Sequence, residues 1–228
     1  MSTAGRLAEP QVEAMFDRIA SVYDLMNSVM TAGMHQRWRE RAVDLAQVAP
    51  GSKALDVATG TGDLAIALRD RGAEVIGADF AEKMLEIARR KAPEIDFRAG
   101  NALALEFEDD EFDAATVGFG ARNFDDLDRG IAEMARVVKP GGRVVILEIT
   151  TPQKPPLSFF FRMWFDSVVP LIGRLAGDPD AYEYLPNSVK RFPGPRDLGG
   201  RMAAAGMTDV RWILTAGGII AIHSGTVA

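Results

Sequence analysis

Leu55-Asp56-Val57-Ala58-Thr59-Gly60-Thr61-Gly62-Asp63 is an apolar strand that ends in a carboxylate and passes into a glycine-spaced turn. A second apolar strand follows and ends in Asp79. An α/β domain holds an adenosine with this pairing: backbone approaches the ligand at the turn, and the distal carboxylate takes the ribose hydroxyls. Glycine suits the turn because a missing Cβ lets the main chain close on a ligand.

Working outward, the pattern alternates. Strands are expected at 53–57, 74–78, 95–98, 113–118 and 143–149, with helices near 63–71, 82–91 and 126–138. Alternation of this kind predicts an α/β fold, a parallel sheet doubly wound with helices on both faces. Val144-Val145-Ile146-Leu147 is a continuous apolar run after Gly141-Gly142, as a central strand buried on both faces requires. Ahead of the sheet, Val12, Met15, Phe16, Ile19, Val22, Tyr23 and Met26 recur at helical spacing. A helix over 11–30 and a second over 34–48 make up an N-terminal helical segment, 11–48, of one domain that covers 1–228. Residues 151–192 break the rhythm with Pro152, Pro155 and Pro156 and then Phe159, Phe160, Phe161, Trp164 and Phe165, an aromatic-rich insertion on the substrate side. A helix near 195–205 and strands at 208–215 and 218–224 complete the chain.

The bulk numbers exclude several classes. The 228 residues carry a formal net charge of −6 with Lys and Arg dispersed, which argues against a nucleic-acid partner. With no cysteine, disulfides, thiolate metal sites and cysteine nucleophiles are ruled out. His35 and His223 are the only histidines, too few for an all-histidine zinc site, and no metal is expected. No apolar run approaches the roughly 20 residues of a membrane-spanning helix, and the first residues lack the apolar core of a signal peptide. A cytosolic enzyme is the expectation.

The glycine loop fits two ligand types. Gly60, Gly62 and Ala65 match the dinucleotide spacing Gly-x-Gly-x-x-Gly/Ala, and Asp56 before alternating glycines matches the S-adenosylmethionine form. A dehydrogenase of the common type needs a lysine four residues after a tyrosine, and none follows Tyr23, Tyr182 or Tyr184. Gly100-Asn101-Ala102 follows the third strand, where a polar side chain and a backbone amide can meet an adenine. Together these favour S-adenosylmethionine. Asp79 has a competing reading as N-cap of the helix that starts near Ala81. Asn101 has one as a turn former, and Asp63 one as a partner of its helix dipole.

The chain resembles a family at several ordered segments. They are Phe16-Asp17-Arg18-Ile19-Ala20, Tyr23-Asp24-Leu25-Met26-Asn27, Leu55 to Leu64, Gly118-Phe119-Gly120-Ala121-Arg122-Asn123 and Val137-Val138-Lys139-Pro140-Gly141-Gly142. Tyr182-Glu183-Tyr184-Leu185, Phe192-Pro193 and Gly217 to His223 continue the series. These resemble the ubiquinone/menaquinone biosynthesis C-methyltransferases. The resemblance implies a seven-stranded class I S-adenosylmethionine-dependent methyltransferase fold and methylation of a polyprenyl quinol ring carbon. The substrate is expected to be demethylmenaquinol, with a benzoquinol precursor of ubiquinone, an unrelated small molecule or a non-catalytic cofactor-binding role as alternatives. Matched by position, the cofactor residues are Thr61, Asp79, Asn101 and Ala102, and the glycine-loop reading adds Gly60. Gly118 departs from the serine frequent in the family, so a side-chain contact is lost there.

On the acceptor side the expected residues are Arg122, Asn123 and Tyr23. A guanidinium stays protonated, so Arg122 suits stabilising a phenolate or polarising a water better than removing a proton directly. Its competing reading is an ion pair with Asp125 or Asp126. Tyr23 either closes over the site or is an ordinary amphipathic helix residue. His35 and His223 are expected to be structural. The aromatic stretch 159–165 is either core packing or the mouth of a channel for a polyprenyl tail, where peripheral contact with the inner face of the membrane also fits. A homodimer is compatible with the sequence.

Overall fold

A computed structural model describes residues 11–12, 14–18, 20, 31, 33–152, 155–163 and 179–228. The described residues between 11 and 20 are helical. After them come α1 (His35–Ala46), β1 (Lys53–Val57), α2 (Asp63–Arg69), β2 (Glu74–Asp79), α3 (Glu82–Lys91) and β3 (Asp96–Ala99). The second half holds β4 (Phe112–Gly118), a single 3₁₀ turn at Ala121–Asn123, α4 (Leu127–Arg136), β5 (Val138–Ile149), α5 (Leu157–Met163) and α6 (Pro179–Arg191). α7 (Pro195–Ala204), β6 (Met207–Thr215) and β7 (Ile220–Val227) close the chain.

The seven strands form one sheet in the order β3-β2-β1-β4-β5-β7-β6. β1 to β5 pair in parallel, while β7 runs antiparallel to β5 and β6 antiparallel to β7. Strand order reverses between β1 and β4, which opens a crevice at their carboxyl ends.

Side-chain alternation along the central strands divides the core into two layers. From β5, Val145 and Leu147 join Trp38, Ala42, Leu64, Leu68 and Leu85 on one face. Val144 and Ile146 point the other way and join Leu55, Val57, Ile131, Met134, Leu198 and Met202. Both faces of β5 are buried, which is why its sequence is continuously apolar.

Three expectations shift. β5 begins at Val138, not near 143, because the Gly141-Gly142 pair is absorbed into the strand as an irregularity: Phe112 pairs with Val138, yet Ala114 pairs with Arg143. Gly141 has φ +82, and a Cβ on Gly142 would stand 2.5 Å from Val138 Cγ1, so glycine is needed at both. β7 starts at Ile220 because Ala216–Gly218 forms a 3₁₀ turn first. Within 151–192, α6 runs through Pro186, where no helix was expected. Trp164 and Phe165 lie outside the described residues. Among the described residues no helix is long and apolar enough to cross a membrane.

Candidate functional site

The crevice is built from the ends of β1, β2 and β4. After β1 the chain turns through Gly60 (φ +56) and Gly62 (φ +83), both in the left-handed region. Gly62 also packs tightly, since a Cβ there would lie 2.8 Å from Phe97 Cζ. Nothing stands within 4 Å of a Cβ on Gly60, so that glycine is required by its backbone and by its place on the crevice wall.

Asp79, at the end of β2, meets this turn directly. Its Oδ2 accepts from Gly60 N at 2.7 Å and its Oδ1 from Ala81 N at 2.9 Å. Asp79 thus ties the loop to the residue before α3, while the N-cap of that helix is Ala81 with no side-chain cap hydrogen bond, so the N-cap reading of Asp79 is not met. Burial pushes its carboxyl up to about 6, against the backbone N–H groups of Ala81, Gly60 and Phe80 that favour the charge. Asp56 lies under the loop at the end of β1, with Thr59 Oγ1 and Thr116 Oγ1 each donating to it at 2.7 Å. Burial pushes this carboxyl up to about 6 as well.

Thr61 is buried, and its Oγ1 accepts from Lys91 Nζ at 3.3 Å. Lys91 also pairs with Asp63, which Arg39 reaches at 3.0 Å. Asp63 is thus held in a three-residue charge cluster beside the loop, in addition to its place in the first turn of α2. Asn101 Oδ1 accepts from Leu103 N at 2.8 Å, the turn-forming role. Asn101 and Ala102 nevertheless line a recess together with Ala58, Asp79, Phe80 and Asn123.

Arg122 points to a partner distant in sequence. It forms an ion pair with Glu148 at the end of β5, with Nη1 at 2.9 Å from Oε1 and both side chains deeply buried. Asn123 Oδ1 accepts from Tyr184 OH at 3.1 Å. Burial holds the Tyr184 phenol above its ordinary value. Arg122, Asn123, Tyr184, Arg191 and Phe192 line a third cavity. Asn123 is shared by all three, standing where the loop crevice, the Asn101 recess and the Arg122 cavity meet. Gly118 lines the loop crevice, and a Cβ there would come within 3.1 Å of Leu64 Cδ2.

The fold therefore gathers Gly60, Thr61, Asp79, Asn101, Ala102, Arg122 and Asn123 on one edge of the sheet. Tyr23 lies outside the described residues. Neither histidine lines these three cavities: His35 Nδ1 is 2.7 Å from Thr31 Oγ1, and His223 Nε2 donates to Pro195 O at 2.8 Å while its ring stacks on Trp212. Sequence reasoning missed Glu148 and Tyr184. Glu148 left one signal, a carboxylate directly after the buried run Val144–Leu147.

The sequence signature of the ubiE/COQ5 methyltransferase family matches residues 5–227. The chain belongs to that family. A demethylmenaquinone methyltransferase of Thermus thermophilus is 50% identical over 218 residues, spanning 92% of this chain and 99% of the relative. One of Deinococcus radiodurans is 45% identical over 213 residues, 90% of this chain and 88% of the relative. Among solved structures, a SAM-dependent methyltransferase of Thermotoga maritima superposes with TM-score 0.68 at 20% identity, covering 94% of this chain and 99% of the other. The [4+2]-cyclase SpnF gives 0.68 at 19% identity with 95% of each chain covered, so likeness at this level carries the fold alone.

This methyltransferase uses S-adenosylmethionine as its methyl donor. Its own geometry fits that group. The glycine turn brings backbone to the crevice wall, a carboxylate buried at the end of the next strand faces the same space, and an adjoining recess carries Asn101 and Ala102.

Proposed function

We propose that this methyltransferase transfers a methyl group to a ring carbon of a polyprenyl quinol, converting demethylmenaquinol to menaquinol. The observation that carries the proposal is likeness along nearly the whole chain to demethylmenaquinone methyltransferases, reaching 50% identity over 92% of this sequence. The cavity lined by Arg122, Asn123 and Tyr184, adjoining the cofactor crevice, supports it by offering polar groups to a hydroxylated ring.

When bound, S-adenosylmethionine supplies an activated methyl on a sulfonium, so no metal or covalent enzyme intermediate is required. The chain supplies the rest. Asp79 and Gly60 take the ribose edge, Thr61 stands at the loop, and Asn101 with Ala102 holds the adenine. Arg122 and Asn123 orient the quinol oxygens, and Arg122 favours the phenolate whose negative charge delocalises onto the neighbouring ring carbon. Holding the reacting atoms about 3–3.5 Å apart contributes a large part of the rate.

The polyprenyl tail leaves along α5. Phe159 and Met163, one helical turn apart, are 62% and 47% exposed, which suits contact with a lipid surface. Phe161 is a different case: it is buried and packs with Val189, Ile149 and Ile219, so it belongs to the core.

Mass spectrometry of quinones from a host strain lacking this gene tests the proposal. The expected result is a quinone one methyl group lighter than menaquinone, converted back by the wild-type gene and not by Asp79→Ala. Unchanged quinones in the deletion strain refute it.

A further inference from the structure

β4 runs beside β5 with Gly118 opposite Leu147, so the next residue of β5, Glu148, comes to lie beneath the turn that follows β4. Glu148 is 1% exposed, and its carboxylate grips that turn at two levels. Oε1 accepts from Arg122 Nη1 at 2.9 Å, and Oε2 accepts from the backbone N–H of the same residue at 3.2 Å. Oε1 also accepts from Ile149 N at 2.8 Å, which fixes the carboxylate to its own strand. Arg122 Nη1 passes the link on by donating to the carbonyl of Phe119.

The turn held in this way is strained. Phe119 has φ +60, a conformation unfavourable for a bulky residue, and Gly120 has no room for a side chain, since a Cβ would lie 2.6 Å from that of Ala58. Such a turn keeps its shape only where its surroundings over-determine it. A buried ion pair is also a poor device for stability alone, because an apolar pair of similar volume often serves as well. Retaining one under the loop that carries Arg122 and Asn123 points to a demand for orientation.

We infer that Glu148 is the positioning residue of the acceptor cavity: it fixes the Arg122 guanidinium and the main chain from Phe119 to Asn123 in one orientation toward the quinol. The inference rests on the proposal that Arg122 and Asn123 contact the acceptor. Glu148 touches neither cofactor nor quinol and acts through Arg122.

A double-mutant cycle in the full-length enzyme tests it. The substrate is demethylmenaquinol with a two-unit prenyl tail, kept reduced, and binding of S-adenosylhomocysteine is measured in parallel. Glu148→Gln is expected to lower kcat on the order of 10²-fold, the cost of a small misplacement at a reacting centre. Its affinity for S-adenosylhomocysteine should stay within about twofold, with the same stoichiometry, which a general loss of structure would not allow. Glu148→Asp, which keeps the charge on a shorter arm, should recover part of the rate. In an Arg122→Ala background, Glu148→Gln should change kcat by no more than about a further twofold, because nothing is left to position.

Losses that multiply in the double variant overturn the inference, as does wild-type turnover in Glu148→Gln with Arg122→Ala slow. Wild-type turnover in Arg122→Ala sinks both this inference and the acceptor-site reading beneath it. Where Glu148→Gln does not fold, the apolar pair Arg122→Met/Glu148→Leu decides. The inference expects it to match the kcat of Arg122→Met while melting higher, and a further drop in kcat contradicts it.

Discussion

Acidification should weaken cofactor binding through Asp79, and the size of the effect follows from its environment. Burial pushes the Asp79 carboxyl from an ordinary 3.8 up to about 6 in the free enzyme. In the proposed cofactor site the ribose hydroxyls donate to Asp79, and the ionised carboxylate is the stronger acceptor. At pH 5 only about one molecule in eleven carries that form, so the Kd for S-adenosylhomocysteine should rise about tenfold between pH 7.5 and pH 5. Asp56, pushed up to about 6 beside it, steepens the slope toward two protons wherever its charge is also required. Loss of fold cannot mimic the effect through these groups. The folded protein holds their protons more tightly than the unfolded chain, so their contribution to stability is greatest below pH 4 and is lost as pH rises from about 4 to about 6. Isothermal titration calorimetry from pH 5 to 8, with circular dichroism as a check on folding, measures the curve. Asp79→Asn should bind about 10–100-fold more weakly at pH 7.5, the loss of a charge-assisted hydrogen bond, and its pH dependence should flatten. A wild-type Kd that stays level from pH 7.5 to 5 refutes the reasoning.

Three further substitutions separate packing from chemistry. Gly120→Ala forces a methyl to within 2.6 Å of Ala58 Cβ, so it should cost about 1–3 kcal/mol in urea unfolding and lower kcat by disturbing the turn that bears Arg122. Met134→Ala, fully buried in the core layer that also holds Val144 and Ile146, should cost about 2–5 kcal/mol while leaving the Kd for S-adenosylhomocysteine unchanged. Its melting temperature should fall by roughly 2–4 °C for each kcal/mol. Tyr184→Phe removes the hydroxyl that donates to Asn123 Oδ1 at 3.1 Å. Steady-state kinetics should show a several-fold higher KM for the quinol, consistent with about 0.5–1.5 kcal/mol for one hydrogen bond, with the KM for the cofactor unmoved.

The parallel core was legible because burial on both faces writes itself as continuous apolar runs such as Val144–Leu147, and because the glycine turn must follow β1. The cofactor edge was legible for the same reason: Gly60 and Asp79 sit at strand ends whose positions the alternation fixes. What escaped notice depended on contacts between distant segments. Asp125 and Asp126 offer themselves as partners of Arg122 because they are near in sequence, whereas Glu148 comes beneath it only through the register of β4 against β5. Tyr184 lies on α6, a continuous helix with Pro186 in its interior, and an interior proline hides the helical pattern that would have placed Tyr184 beside Asn123. The early start of β5 was hidden by Gly141 and Gly142, which look like a turn and are part of the strand.

Methyl transfer by the purified enzyme tests the central claim most directly. With methyl-labelled S-adenosylmethionine and reduced demethylmenaquinol, the account predicts one labelled methyl on the quinol ring for each S-adenosylhomocysteine formed, and turnover that collapses in Asp79→Ala and falls strongly in Arg122→Ala. S-adenosylmethionine bound stoichiometrically, with no label reaching the quinol ring, contradicts it.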